Sequence, residues 1–358
     1  MDRYIVQSLL PPFLFGVGVF TVLLVAGDVL FYLANLVVNQ GLSIWVAIKL
    51  FLYKLPEVVV MTFPMSMLLA TLLAFGKMSS HGEMIALRSI GVSFGRILIP
   101  VIVMAVLVAL FSFTFNETVV PLTRKAVANL LEREFGRRAP SLKEDVFFRD
   151  MESGELRRVI YVSRMDAKAG YLRGVIIQEF ESRRLRRIIT AEEGLIDDGS
   201  WVLNDGRIYN LDRDGKVTTV GNFKRQVMAL SFSRSRVDST AKEPQEMTLK
   251  ELKGNIELLK AQGVPSRRLE VRYNQRFAIP WASVVFVLVG APLALTHHRT
   301  SSSVGVGLSV LIIFVYYVLL SLGQAFGDAG EVPPSLAAWL PNLILGGVGT
   351  VLCLRAPT

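Results

Sequence analysis

Six long apolar stretches divide this chain of 358 residues into three spans, one polar block, and three more spans. About 20 apolar residues at 1.5 Å rise cross a hydrocarbon core of roughly 30 Å, so the pattern points to a membrane protein before any motif is considered. The stretches cover about 9–38, 55–76, 97–115, 277–296, 304–327 and 336–354. The first is overlong and carries Asp28 in its interior. The expected fold is an α-helical membrane protein with six transmembrane helices and an inserted all-β jelly-roll domain. Its regions are 1–135 (spans one to three), 136–247 (the β domain), and 248–358 (a connecting helix and spans four to six).

Composition agrees, at 52% hydrophobic residues and a mean hydropathy of +0.45. The net charge of +9 belongs mostly to the polar block, since residues 116–276 hold 31 of the 39 Lys and Arg against 24 of the 30 Asp and Glu. These bases are interleaved with acids, and no zinc spacing or RNA-binding signature accompanies them, which argues against a nucleic-acid partner. A basic surface facing anionic lipid headgroups is the more economical reading. Cys353 is the sole cysteine, which excludes an intrachain disulfide and a cysteine-based metal site. His297 and His298 have no third ligand nearby, so no metal site is expected.

The first apolar segment outruns a signal-peptide core and lacks a small-residue cleavage site, so it is expected to stay in the mature protein. Arg3, Lys77, Arg88, Arg96, Arg299 and Arg355 share one side of the membrane in this topology, while the 328–335 loop carries Asp328 and Glu331. The excess of short-loop bases places both termini in the cytoplasm and the β domain outside it, although Lys49 and Lys54 run against the trend.

Within the polar block, a helical extension over 117–135 gives way to eight short β-rich runs: Asp145–Phe148, Val159–Ser163, Gly174–Phe180, Leu185–Thr190, Trp201–Leu203, Arg207–Leu211, Lys216–Val220 and Gln226–Phe232. Turn tripeptides such as Asn204-Asp205-Gly206 separate them. This rhythm indicates an antiparallel sandwich or jelly roll. Large apolar residues at Phe147, Ile160, Ile176, Trp201 and Val227 suggest an interior able to accept acyl chains. The cluster Arg183, Arg184, Arg186 and Arg187 reads first as a solvated strand edge, and second as a phosphate contact. Thr248 with Glu251 three residues on forms a capping box that opens a helix through Leu252, Ile256 and Leu259.

Between spans two and three, residues 78–91 hold too many helix formers for a plain loop, with Ser79 or Ser80 expected to cap the helix and Gly91 to end it. Glu83 and Arg88 stand five apart, roughly 140° around a helix, so they do not satisfy one another and are expected to look outward for partners. Asp28 costs about 3 kcal/mol or more if exposed to lipid, so it is expected to face a cavity or another helix. Gly323-x-x-x-Gly327 permits close helix approach. No Walker A pattern occurs and no nucleophile, base and orienter stand together, so the chain reads as a non-enzyme without its own motor.

Four features occur in one order: Glu83-x-x-Ala86-x-Arg88-Ser89-x-Gly91; the run from Pro64 to Gly76-Lys77, which precedes it; Met247-Thr248-Leu249-x-x-Leu252; and Asn274-x-Arg276 through Pro280 to Ala291-Pro292-Leu293. Together with the topology, they resemble the LptF/LptG (YjgP/YjgQ) lipopolysaccharide-export permeases essentially end to end. The resemblance implies a permease of an ABC exporter. In it, two such permeases, which are paralogues or copies, and a cytoplasmic ATPase dimer extract lipopolysaccharide or a related lipid from the inner membrane. The lipid passes to a periplasmic jelly-roll bridge protein. No cofactor would be bound by this chain, and ATP and Mg would sit on the ATPase.

Carried onto this sequence, the resemblance makes Glu83 the acid of a coupling helix docked in the ATPase groove, with Ala86, Arg88, Ser89 and Gly91 in the same motif. It places Asp28, Phe31 and Tyr32 of the first span, and Phe314, Tyr316 and Tyr317 of the fifth, near the lipid. The first span is expected to form a lateral gate with the fifth span of its own chain or of a partner permease. Relatives often carry bases at the outer end of the first span, where this chain has Asp28, Asn35 and Asn39. Lys49 and Lys54 are then the nearest candidates for headgroup phosphates. Two other classes fit less well: a secondary lipid transporter, for which no inverted repeat is visible, and a membrane-tethered periplasmic receptor, which would need neither six spans nor a shaped helix at 78–91.

Overall fold

The computed structural model describes residues 1–135, 142–152, 155–166, 170–181, 184–197, 200–212, 216–229, 247–261, 266–296 and 302–355. The chain forms two compact units, Met1–Arg124 with Thr248–Thr358, and Lys125–Met247. Six helices are long and apolar enough to cross a membrane: Asp2–Asn39, Ile44–Ser80, Phe94–Leu131, Arg267–Leu295, Val304–Ala329 and Pro334–Arg355. The expected spans therefore all stand.

In the helical unit, α1 (Asp2–Leu24) runs through a π-helical turn at Val25–Val29 into α2 (Leu30–Gln40). A left-handed Gly41 then turns the chain into α3 (Ile44–Ser80). After α4 (Glu83–Ser89) and α5 (Phe94–Phe135) comes the β domain, followed by α6 (Leu249–Ala261), α7 (Arg267–Thr296), α8 (Ser302–Ala329) and α9 (Pro334–Arg355). The centre is α3, which buries Met67, Leu68, Leu69 and Ala70 in succession; a helix apolar all round is one surrounded by others. It is packed by α1, α7 and α8, and α7 and α8 both pack on α9.

Small residues let these helices approach, as membrane packing demands in the absence of a hydrophobic drive. A Cβ on Gly16 of α1 would meet Ser66 of α3 at 3.1 Å, and one on Gly349 of α9 would meet the α7 backbone at Leu288 and Val289 at 2.9 Å. The Gly323-x-x-x-Gly327 pair is spent on α9, whose Ala337 lies against both glycines, and not on α1.

The β unit is an antiparallel sheet in sequential order: β1 (Leu142–Glu152), β2 (Glu155–Asp166), β3 (Tyr171–Glu181), β4 (Arg184–Asp197), β5 (Ser200–Leu211) and β6 (Val217–Ala229). The inserted domain is all-β as expected, but its described strands are fewer and longer than the eight short runs. Trp201–Leu203 and Arg207–Leu211 join into β5 across Asn204-Asp205-Gly206, with Asp205 at φ 48°. Most of Lys216–Val220 and the described part of Gln226–Phe232 likewise merge into β6; residues 230–232 lie outside the described residues. An unbroken ladder on both sides of β5 outweighs the local turn propensity.

One face of the sheet is a layered core. Val146, Val162, Val175, Ala191, Gly206 and Phe223 form one rung in register, and Phe148, Ile160, Ile177, Ile189 and Ile208 another. Phe148 on β1 meets Trp201 on β5 edge-on, with ring centroids 6.0 Å apart. Four strand spacings in a flat sheet would separate them by roughly 19 Å. The sheet must therefore curl until its ends touch across the core. That core is filled: Trp201, Phe148 and Ile160 are fully buried. Phe147, Ile176 and Val227 lie on the opposite face, because strand side chains alternate and each neighbours a core residue; Phe147 packs there on Tyr161. The expectation that these three line the interior is therefore corrected. Arg186 pairs with Glu181, and Arg187 with Glu179 and Asn210, but the strand-edge reading is corrected, because β4 is an interior strand paired with β3 and β5; Arg183 lies outside the described residues.

Candidate coupling and lipid-contact site

At one end of the bundle, α3 continues as far as Ser80, whose hydroxyl donates to the Lys77 carbonyl. Neither Ser79 nor Ser80 is therefore the cap of α4. The break falls at Gly82, whose left-handed φ of 74° interrupts the helix, and α4 occupies only Glu83–Ser89 of the expected 78–91. Gly91 does end it: φ is 85°, and Val92 N–H reaches back to the Leu87 carbonyl at 3.1 Å.

Met84 is buried and Leu87 packs on the helical core, which seats one side of α4. The other side shows Ile85 (61% exposed), Ala86, Ser89 and, just past the helix, Ile90 (76% exposed). Glu83 is not a free outward acid. Tyr4 Oη donates to its Oε2 at 2.7 Å, and His81 Nδ1 stands 3.8 Å from its Oε1. Arg88 also differs from expectation, since its Nε and Nη2 are buried, without hydrogen-bond partners among the described residues. Near these groups Arg96 Nη2 donates to Asp2 Oδ2 at 2.9 Å. A cavity of about 770 Å³ lies beside them, between α1, α3, α7 and α8, and includes Tyr4, Lys77, Glu83, Leu293 and Leu308 in its wall.

Asp28 lies in the π turn of the first span, where Leu30 N–H bonds to the Val25 carbonyl five residues back. Such one-turn widenings recur at functional sites. Asp28 and Phe31 are exposed in the single chain, as is Lys49. Lys54 Nζ stands 4.5 Å over the Tyr32 ring, a cation–π contact that joins α2 to α3.

The three aromatic residues of α8 do not share a face. Residues two apart are about 200° around a helix, so Phe314 points outward (65% exposed) while Tyr316 (1% exposed) packs against Phe286 and Tyr317. Tyr316 is thus a core residue, which corrects its expected place beside the lipid. Among the described residues, α1 and α8 make at most marginal contact, each packing on α3 instead. The structure therefore does not bring Asp28, Phe31 and Tyr32 together with Phe314 within one chain.

A polar network that the motif search did not find braces another part of the same unit. Glu117 of α5 accepts from Arg276 Nη1 of α7 at 3.1 Å and from Leu249 N–H, at the start of α6, at 3.2 Å. Arg124 grips Glu57 of α3 through two nitrogens, at 2.6 and 3.2 Å. The Thr248–Glu251 capping box forms as expected, Thr248 N–H to Glu251 Oε2 at 3.0 Å and Glu251 N–H to Thr248 Oγ1 at 3.3 Å. Arg276 lay in a recognised motif, but no spacing rule links it to Glu117.

Residues 3–355 match the family described as lipopolysaccharide export system permease LptF/LptG. The chain is 22% identical over 309 residues to the lipopolysaccharide export system permease protein LptG of Haemophilus influenzae, covering 84% of each sequence. It is 23% identical over 305 residues to the LptG protein of Escherichia coli K12, covering 81% of this chain and 80% of that one. With the topology and nearly the whole length in agreement, the chain belongs to the LptF/LptG family of lipopolysaccharide export permeases.

Proposed function

We propose that this chain is the transmembrane permease subunit of an ATP-driven exporter that extracts lipopolysaccharide from the inner membrane and hands it to a periplasmic bridge. The observation that carries the reading is α4: a seven-residue helix seated by Met84 and Leu87 that turns Ile85, Ala86, Ser89 and Ile90 outward, with Glu83 at its first residue. An exposed apolar face of this kind beside an acid suits a protein groove carrying a cation. A separate cytoplasmic ATPase dimer, which holds ATP and Mg, docks there. Both termini then lie in the cytoplasm and the β domain in the periplasm.

The bare faces of the first span and α8 are the surfaces of a second permease contact, the first span of one chain facing α8 of the other, because among the described residues of one chain the two make at most marginal contact. That arrangement covers Asp28 and places Phe31 and Phe314 on the lipid route, with Lys49 and Lys54 at headgroup level. The test is mass spectrometry of the subunits and lipids retained after mild detergent extraction. An ATPase, a second permease and lipopolysaccharide are expected; a lone chain carrying bulk phospholipid would refute the reading.

A further inference from the structure

The first turn of α1 is tied to both ends of the α4 segment. Tyr4 holds Glu83 at the first residue of α4, and Asp2 holds Arg96 just inside α5. These contacts join residues 79 and 94 positions apart. Among the described residues, the packing of α4 is chiefly on α3. Beyond this turn α1 is seated on α3 by Ile5, Leu9 and Gly16. The cavity beside Tyr4 and Glu83 leaves the turn room to shift without displacing close-packed core.

We propose that Tyr4 and Asp2 are positioning residues: they make the first turn of α1 a strap that carries displacement of the docked α4 segment into α1. The inference rests on the reading that α4 docks the ATPase. Tyr4 occupies Oε2 of Glu83 and His81 Nδ1 stands 3.8 Å from Oε1, so a cation of the partner that reaches this carboxylate acts on the strap's own anchor. Motion delivered to α1 reaches the π turn at Val25–Val29, where the widened helix ladder is the natural joint between the two halves of the first span.

The test uses the full-length permease complex with its ATPase in nanodiscs containing lipopolysaccharide. It measures ATPase affinity, hydrolysis rate and lipid released per ATP. Tyr4→Phe, Asp2→Arg and Arg96→Asp are expected to hold ATPase affinity within about twofold, since exposed polar pairs contribute little to assembly. Lipid released per ATP should fall at least threefold. The double swap Asp2→Arg with Arg96→Asp restores the pair with reversed polarity and should recover at least half of the lost coupling. A purely structural role predicts no such recovery. Unchanged coupling in all three single variants, or a double swap no better than its parents, overturns the strap alone. If the wild-type chain binds no ATPase, or Glu83→Ala exports normally, the docking reading falls and takes the strap with it.

Discussion

Replacing Glu117 by Gln removes one negative charge and almost no volume, so it isolates the electrostatic part of the brace between α5, α6 and α7. Glu117 and Arg276 retain only 16% and 14% of their side-chain exposure, and the same carboxylate also receives Leu249 N–H. Breaking a buried ion pair by altering one partner costs about 3–5 kcal/mol. Residual water access and the acceptor that Gln keeps reduce this to roughly 2–3 kcal/mol. At about 2–4 °C per kcal/mol, the unfolding midpoint should fall by roughly 4–12 °C.

The assay is thermal unfolding in one detergent at one scan rate, with Arg186→Gln as the control. That variant breaks the pair with Glu181, in which both side chains are 64% exposed. It should cost under about 0.5 kcal/mol. Combining Glu117→Gln with Arg276→Gln should cost less than the sum of the two, since one interaction is lost only once. If Glu117→Gln lowers the midpoint no more than the control, the brace does not hold the unit together.

Three further outcomes follow from local geometry. Gly206→Ala sets a Cβ into the Phe223 ring and the Thr190 carbonyl, so stability should fall by about 1–3 kcal/mol; Phe223→Ala in the same chain should not restore it, because the carbonyl remains. Tyr316→Phe removes a buried hydroxyl without a hydrogen-bond partner among the described residues, so thermal stability should hold or rise by about 1 kcal/mol and export should be unchanged; a loss of export at unchanged stability would return Tyr316 to the lipid route. Lys54→Gln gives up a cation–π contact at a half-buried site, worth about 1 kcal/mol. Its larger effect should be weaker retention of lipopolysaccharide in the mass-spectrometric assay, and full retention would remove Lys54 from the headgroup site.

The spans were legible because apolar runs of this length have few other solutions, and Thr248 with Glu251 was legible because a capping box is a contact between residues three apart. Strand boundaries were not. Asn204-Asp205-Gly206 carries turn chemistry, and only pairing on both sides, with Phe223 lying over Gly206, keeps β5 continuous. Helical angle alone separates Phe314 from Tyr316, yet which of the two faces the core depends on Phe286 of another helix.

The site shows the same division. The pattern around Glu83 marked the segment, but the state of the acid was decided by Tyr4, 79 residues away in a turn that carries no motif. Motif and topology mark the α4 segment, while its ties to the first span are two exposed pairs that no local spacing encodes. If those pairs transmit as proposed, coupling in this chain resides as much in Asp2, Tyr4 and Arg96 as in α4, the proposed docking helix. Ranking variants by lipid moved per ATP, instead of by assembly, is the measurement that separates gripping from transmission.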